Sequence, residues 1–187
     1  MNRILVVVDM QNDFVTGALR NEEAIAIVPN LVEKVKNAIE DNDIVIFTKD
    51  THLGNYMETE EGKNLPVPHC IDGTEGWEII DELIPYTEGR PVIKKYTFGA
   101  TELGEELRKQ LVLKNIEKIE IVGVCTDVCV ISNAMVTKAY LPNIPICVDA
   151  ACCAGISPEG HDTALNAMKA THIHISNEGK EPWRKYD

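Results

Sequence analysis

Residues 4–9 read Ile-Leu-Val-Val-Val-Asp: five apolar side chains in succession, four of them β-branched, and then an acid. A strand with one wet face alternates polar and apolar residues. An unbroken apolar run of strand length is instead covered on both faces, the situation of a parallel sheet between helical layers. Working outward, Ile27, Leu31, Val35 and Ala38 recur at helical spacing, with Pro29 suited to the first turn of that helix. Ile44 to Phe47 is the second strand. From Asp50 to Gly89, five Gly and three Pro break the pattern and leave only short helical pieces such as Trp77 to Leu83. Regularity returns with a short strand at Pro91 to Ile93. Thr101 then reads as a helix cap, followed by Glu102, Glu105 and Glu106 near the positive end of the helix dipole and by a Leu103, Leu107, Leu111 stripe. A strand at Ile119 to Val122, a helix at Val128 to Tyr140 and a strand at Ile144 to Val148 come next. Ser157 and Pro158 open a helix reaching Ala170, and Ile173 to Ile175 is the last strand. This alternation predicts an α/β fold with a parallel sheet, one domain over residues 1–187, and a polar, peripheral tail from Asn177 to Asp187.

Charge narrows the function classes. Thirty acids against 18 Lys plus Arg give a formal net charge of −12, with no basic stripe, so a phosphate backbone is repelled and nucleic acid is not an expected partner. No run approaches the roughly 18 apolar residues of a membrane span, and MNRILVVVDMQNDF meets an acid too soon for a signal peptide. A cytoplasmic location is therefore expected. At 187 residues the chain can bury a core without staples, so its six cysteines read as reduced thiols.

In open parallel sheets the ligand crevice lies beyond the carboxyl ends of the strands. The residues that follow the predicted strands are Asp9, then Asp50 and His52, then Lys95, then Gly123 and Cys125 to Cys129. Cys129 stands where a strand, a glycine turn and a helix start meet, so the positive helix end could hold its thiolate below the ~8.5 of a free thiol. A buried, inert cysteine is the plainer reading, and Cys70, Cys147, Cys152 and Cys153 are given it. Asp9 follows five apolar residues, and partial desolvation there raises a carboxyl pKa and suits it to accepting a proton. Its alternative role is a turn cap. Lys95, held between Asp9 and Cys129, would balance the acid and favour the thiolate, while Lys94 alternates to the surface. Asp50, His52 and His69 have the composition of a three-ligand site for zinc or another divalent metal; loop histidines are more often solvated or bonded to backbone. Cys125 and Cys129 could pair as a redox dithiol, although three residues separate them rather than the usual two.

These residues carry a family resemblance. The segments VVVDMQNDF (6–14), KDTH (49–52), PVPHCIDGTEG (66–76), KKYTFGAT (94–101) and GVCTDVCV (123–130), in order and followed by DAACCAG ending at Gly155, resemble the cysteine hydrolases of the isochorismatase-like superfamily, and within it the nicotinamidases. The resemblance implies a three-layer α/β/α fold with a six-stranded parallel sheet and a catalytic set of Cys129 as nucleophile, Asp9 as general base and acid, and Lys95 as third member. It implies a cis peptide between Val124 and Cys125, and an oxyanion hole made by the backbone amides of Cys125 and Cys129. It also implies a divalent metal, zinc with manganese or iron as alternatives, on Asp50, His52 and His69. Phe14 and Val124 would contact the substrate, a small carboxamide such as nicotinamide.

Several positions depart from the nicotinamidase pattern. Thr51 stands where a Trp is common, Thr101 where a Phe is usual, and Cys125 where a small residue is usual. Glu61 lies near the place of an additional carboxylate ligand but one residue out of register, and either Trp77 or Tyr56 could supply ring contact. The alternatives are a metal-independent amide, ureido or carbamoyl hydrolase of the same superfamily, and a non-catalytic small-molecule-binding module on the same fold. Isochorismate hydrolysis is disfavoured, because members with that activity lack the nucleophilic cysteine. A homo-oligomer is expected, with the apolar Ala150 to Ile156 stretch serving as interface or core.

Overall fold

The computed structural model describes residues 2–185; Met1, Tyr186 and Asp187, at the ends of the domain and tail read from sequence, lie outside the described residues. Strands β1 (Arg3–Val8), β2 (Ile44–Asp50), β3 (Val92–Lys95), β4 (Lys118–Val124), β5 (Ile146–Ala154) and β6 (His174–Ser176) form one six-stranded sheet in the order β3-β2-β1-β4-β5-β6. Every pairing is parallel. The helices are α1 (Asn12–Val15), α2 (Glu22–Glu40), α3 (Glu60–Asn64), α4 (Thr101–Leu113), α5 (Ile131–Tyr140) and α6 (Pro158–Ala170). From β1 to β3 the chain steps one way across the sheet, and from β3 onward it crosses back and steps the other way. With right-handed crossovers, that reversal puts α2 on one face and α4, α5 and α6 on the other. The contacts agree: α2 packs on β2, β4 and β5, while α4 meets α5 and α5 meets α6. This is the three-layer α/β/α arrangement, and its switch point lies between β1 and β4.

β1 is as apolar in its surroundings as in its sequence: Ile4, Val6 and Val8 are fully buried, and Leu5 and Val7 nearly so. Several boundaries differ from the sequence reading, each for a local reason. α2 begins at Glu22, well before Pro29, because the Asn21 side chain accepts from the amides of Glu23 and Ala24 and starts the helix there. Trp77 to Leu83 is not helical; Glu75–Trp77 is a 3₁₀ turn, after which Ile79 bridges to Gln11 and Ile80 and Leu83 enter the core. Thr101 is the first helical residue of α4 rather than its cap, since the amide of the preceding Ala100 is taken by Asn133 Oδ1. A π-turn over Thr126–Val130 precedes α5. Ser157 does cap α6, accepting from the Gly160 amide.

The largest difference is β5, which continues through Asp149 to Ala154 with every residue buried. Asp149 does not end the strand because Lys34 Nζ lies 2.7 Å from it and Asn177 and the Ala151 amide donate to it. The Ala150 to Ile156 stretch is accordingly core as far as Ala154. The tail is also not peripheral: Glu181 is buried, and Trp183 packs against the core. No helix among the described residues is long and apolar enough to cross a membrane.

Candidate active site

Two backbone features at the switch point place the first groups. Asp9, just past β1, adopts a φ of 51°, a left-handed conformation that an Asp tolerates better than most residues. Beside it, Gly123 has a φ of 119°, and a Cβ there would come 2.1 Å from the Val8 carbonyl oxygen, so only glycine lets β4 pass this close to β1. Beyond Gly123, the Val124–Cys125 peptide is cis, and the Cys125 carbonyl accepts from the amides of Val128 and Val130. Cys129 sits in that π-turn, buried, with its carbonyl accepting from Asn133 Nδ2 at 2.8 Å.

Strand register supplies the rest. Asp50 and Lys95 are the last residues of β2 and β3 and are direct partners across the ladder. Lys95 Nζ, wholly buried, lies 2.7 Å from Asp9 Oδ2, 2.9 Å from Asp50 Oδ1 and 3.4 Å from Cys129 Sγ. Lys94 points the other way, to an exposed pair with Asp72. Thr48 Oγ1 donates to Asp9 Oδ1 at 2.6 Å, whereas Oδ2 faces Lys95 off the line of a good hydrogen bond and is otherwise without a partner among the described residues.

The electrostatics follow from this packing. Burial pushes the Asp9 carboxyl above its ordinary value, and the Lys95 charge offsets this only in part. Burial disfavours the Lys95 ammonium, but the neighbouring Asp9, Cys129 and Asp50 reverse that and hold it well above the usual lysine range. Burial also pushes the Cys129 thiol well up, against the pull of Lys95. The helix end expected to favour a thiolate is a π-turn here, and burial opposes that effect. Cys125 is likewise pushed up to about 12 by burial, and all six cysteines are free.

Asp50 turns its second oxygen to another cluster. His52 Nε2 is 3.0 Å and His69 Nε2 3.7 Å from Asp50 Oδ2, and each is 3.6 Å from Glu61 Oε1. His69 Nδ1 donates to the Val67 carbonyl at 2.8 Å, which leaves the Nε2 lone pair facing the cluster. Burial works against the Asp50 charge, yet His52, His69 and Lys95 hold it well below the usual carboxylate range. The four donor atoms lie within 4.8 Å of one another, a set that fits a divalent cation. Glu61, read as out of register, joins because Thr59 caps the short helix α3 and turns the residue inward.

A cavity of about 1240 Å³ opens over both clusters. Asp50, His52, Glu61, His69, Cys125 and Cys129 are at its polar part, and Phe14, Leu19, Leu65, Tyr96, Phe98, Val128 and Ile156 supply apolar wall. Val124 is fully buried in β4 and does not line it, which corrects its expected contact with substrate. Neither candidate for the ring contact lines it. Tyr56 packs edge-on behind His52 and His69 with its hydroxyl donating to the Leu65 carbonyl, and Trp77 donates to Thr51 under a Lys49 cation. Tyr96 and Phe98 line it instead, and their position just after Lys95 was the available signal. Sequence reading also missed Gln11, which donates to the Asp50 carbonyl and accepts its amide, and Asn133, which joins the π-turn holding Cys129 to the Phe98 carbonyl.

The isochorismatase domain model matches residues 3–178. The chain belongs to the isochorismatase family. An isochorismatase-family protein of Bacillus subtilis, PncA, is 32% identical over 89% of this chain and 93% of its own length. A probable inactive nicotinamidase of Arabidopsis thaliana is 31% identical over 90% and 88%. Among solved structures, a nicotinamidase/pyrazinamidase of B. subtilis superposes with a TM-score of 0.81 at 29% identity, covering 95% of this chain and all of that one. A Pyrococcus horikoshii pyrazinamidase in complex with zinc gives 0.79 at 28% identity, covering 94% and 98%. With nicotinamidases on both sides of the comparison, this isochorismatase-family chain is an amidohydrolase by kinship.

Proposed function

We propose that the chain hydrolyses a small aromatic carboxamide, nicotinamide first among them, to the acid and ammonia through a thioester on Cys129. The observation that carries this reading is the buried line of carboxylate, ammonium and thiol at the switch point, Asp9, Lys95 and Cys129, opening on an apolar cavity. Asp9 Oδ2, the oxygen with no well-aligned donor, takes the thiol proton. Cys129 Sγ then attacks the carboxamide carbon. Lys95 stays charged throughout and keeps the buried negative charge bearable as it moves from Asp9 to sulfur. The backbone amides of Cys125 and Cys129 hold the oxyanion, each donor worth about 3–4 kcal/mol in comparable sites. Asp9 returns its proton to the leaving ammonia, and water releases the acid. Phe14, Tyr96 and Phe98 enclose the ring. Acid-quenched protein digested after exposure to nicotinamide should yield a nicotinoyl adduct on the Cys129 peptide. Ammonia release without any such adduct would refute the thioester.

Burial of Asp9 gives this mechanism a pH signature. The carboxylate form is required and its pKa is raised, so activity is lost as pH falls through that raised value. The acid limb of kcat/KM should therefore lie above the ~3.9 of an ordinary aspartate. A pH–rate profile with its acid limb at or below about 4 would count against Asp9 as the base.

Asp50, His52, Glu61 and His69 would hold a divalent metal, with zinc supported by the P. horikoshii neighbour. When bound, such an ion supplies a Lewis acid to which a ring nitrogen can coordinate, so that the amide is presented to Cys129. Zn²⁺ added to chelator-treated protein should stabilise it by about 2.7 kcal/mol at a hundredfold excess over Kd, read as a rise in Tm. The rise should vanish in His69→Ala; an unchanged rise would place the metal elsewhere.

One observation favours a second reading. The cavity exceeds the ~300–1000 Å³ typical of small-molecule sites, and Leu19, Leu65 and Ile156 add apolar wall to that of the three aromatic side chains. A carboxamide with an apolar extension fits that space, and ring-alkylated nicotinamides beside nicotinamide itself decide between the two by kcat/KM.

A further inference from the structure

Beneath the nucleophile turn lies a second cluster of titratable groups, none of which lines the cavity. His161, on α6, is wholly buried, with Nδ1 2.8 Å from Thr126 Oγ1 and Nε2 3.4 Å from Glu181 Oε1. Glu181 is itself buried and comes from the C-terminal segment, where it accepts from the Gly179 amide and pairs with Arg184. Arg184 also reaches Asp162 on α6 with two bonds, of 3.2 and 2.6 Å. Trp183 presses edge-on against the His161 ring and donates to the Cys153 carbonyl. His161, Asp162 and Glu181 have the donor types of a metal site, but Arg184 already pairs with both carboxylates and serves as the cation there.

Glu181 Oε1 faces Nε2 at 3.4 Å without closing a hydrogen bond, and its charge favours the tautomer protonated on that nitrogen, for which Thr126 donates to Nδ1. Thr126 is the first residue of the π-turn, one after Cys125 and three before Cys129. The turn is otherwise held by Asn133 at the Cys129 carbonyl and by Asp127 Oδ1, which accepts from the Ile156 amide. Among the described residues, the Thr126 hydroxyl and the Asp127 carboxylate are the side-chain ties at its amino end, and only the first reaches a side chain of α6.

We propose that Glu181, His161 and Thr126 form a buried relay of positioning residues through which the C-terminal segment sets the placement of Cys129 and of the Cys125 amide. None of them touches substrate. The inference rests on Cys129 as the reactive thiol, and its test does not depend on the identity of the amide. Thr126→Val keeps the shape of the side chain and removes the hydroxyl, whereas Thr126→Ser keeps the hydroxyl. The rate of Cys129 alkylation by iodoacetamide is measured in the full chain for both, with folding checked by circular dichroism, beside kcat and KM for ammonia release from nicotinamide. Thr126→Val is expected to lower the alkylation rate and kcat by on the order of 10- to 100-fold with KM within about threefold, the scale of a small misplacement of reacting groups. Thr126→Ser is expected to recover most of both, and Glu181→Gln to reproduce the Val variant by releasing the tautomer. A folded Thr126→Val protein with wild-type alkylation would overturn the relay and leave the Cys129 reading standing. A wild-type Cys129 that iodoacetamide labels no faster than the other buried cysteines would overturn both. Reactive Cys129 with no ammonia from nicotinamide would remove only the substrate assignment, and the alkylation series would still decide the relay.

Discussion

Cys129→Ala is expected to lower ammonia release from nicotinamide by about 10⁴-fold or more, the scale on which removal of a covalent nucleophile acts. The substitution takes away one buried sulfur and leaves Asp9, Lys95 and the apolar wall in place, so the protein should stay folded and its KM, if measurable, near wild type. Cys125→Ala is the informative companion. Its thiol is pushed up to about 12 by burial, and only its backbone amide enters the proposed mechanism. It should retain activity within a fewfold. Loss of activity in Cys125→Ala equal to that in Cys129→Ala would instead favour a dithiol mechanism.

Lys95→Met should show the second large effect, in stability as well as activity. The ammonium sits between two buried carboxylates, and its removal leaves both facing an apolar side chain. Breaking a buried pair on one side typically costs about 3–5 kcal/mol, readable as a lower urea midpoint at unchanged slope. Asp9→Asn combined with Lys95→Met should regain part of that loss, because one stranded charge is gone, while remaining inactive for want of a base. A single Lys95→Met protein as stable as wild type would mean that the ammonium does not compensate these carboxylates.

The sheet was legible because strands buried on both faces advertise themselves: Ile4 to Val8 and Ile44 to Phe47 need no context. β5 was cut short at Val148 because an Asp in sequence looks like a strand end, and only the fold reveals that Lys34 and Asn177 reach Asp149 from α2 and from beyond β6. The groups placed by strand ends, Asp9, Asp50 and Lys95, were legible for the same reason as the strands. Those placed by irregular chain were not. Glu61 depends on the Thr59 cap, Tyr96 and Phe98 on the direction of a loop, and the burial of Glu181 on its packing against His161 of α6. The thiol was recognised, but the burial that pushes it up was not, since desolvation is a property of packing and not of neighbours in sequence.

Asp50 has one oxygen on the ammonium of the hydrolytic set and the other on the imidazole cluster. A single codon thus serves two masters, and the two halves of the site are not free to diverge independently. A lineage that abandons the imidazole cluster while keeping hydrolysis can lose His52, His69 or Glu61 one at a time, but any step that deletes the carboxylate at position 50 also strips Lys95 of a partner. Selection for new substrates should therefore vary the histidines and the cavity wall first and leave that acid standing.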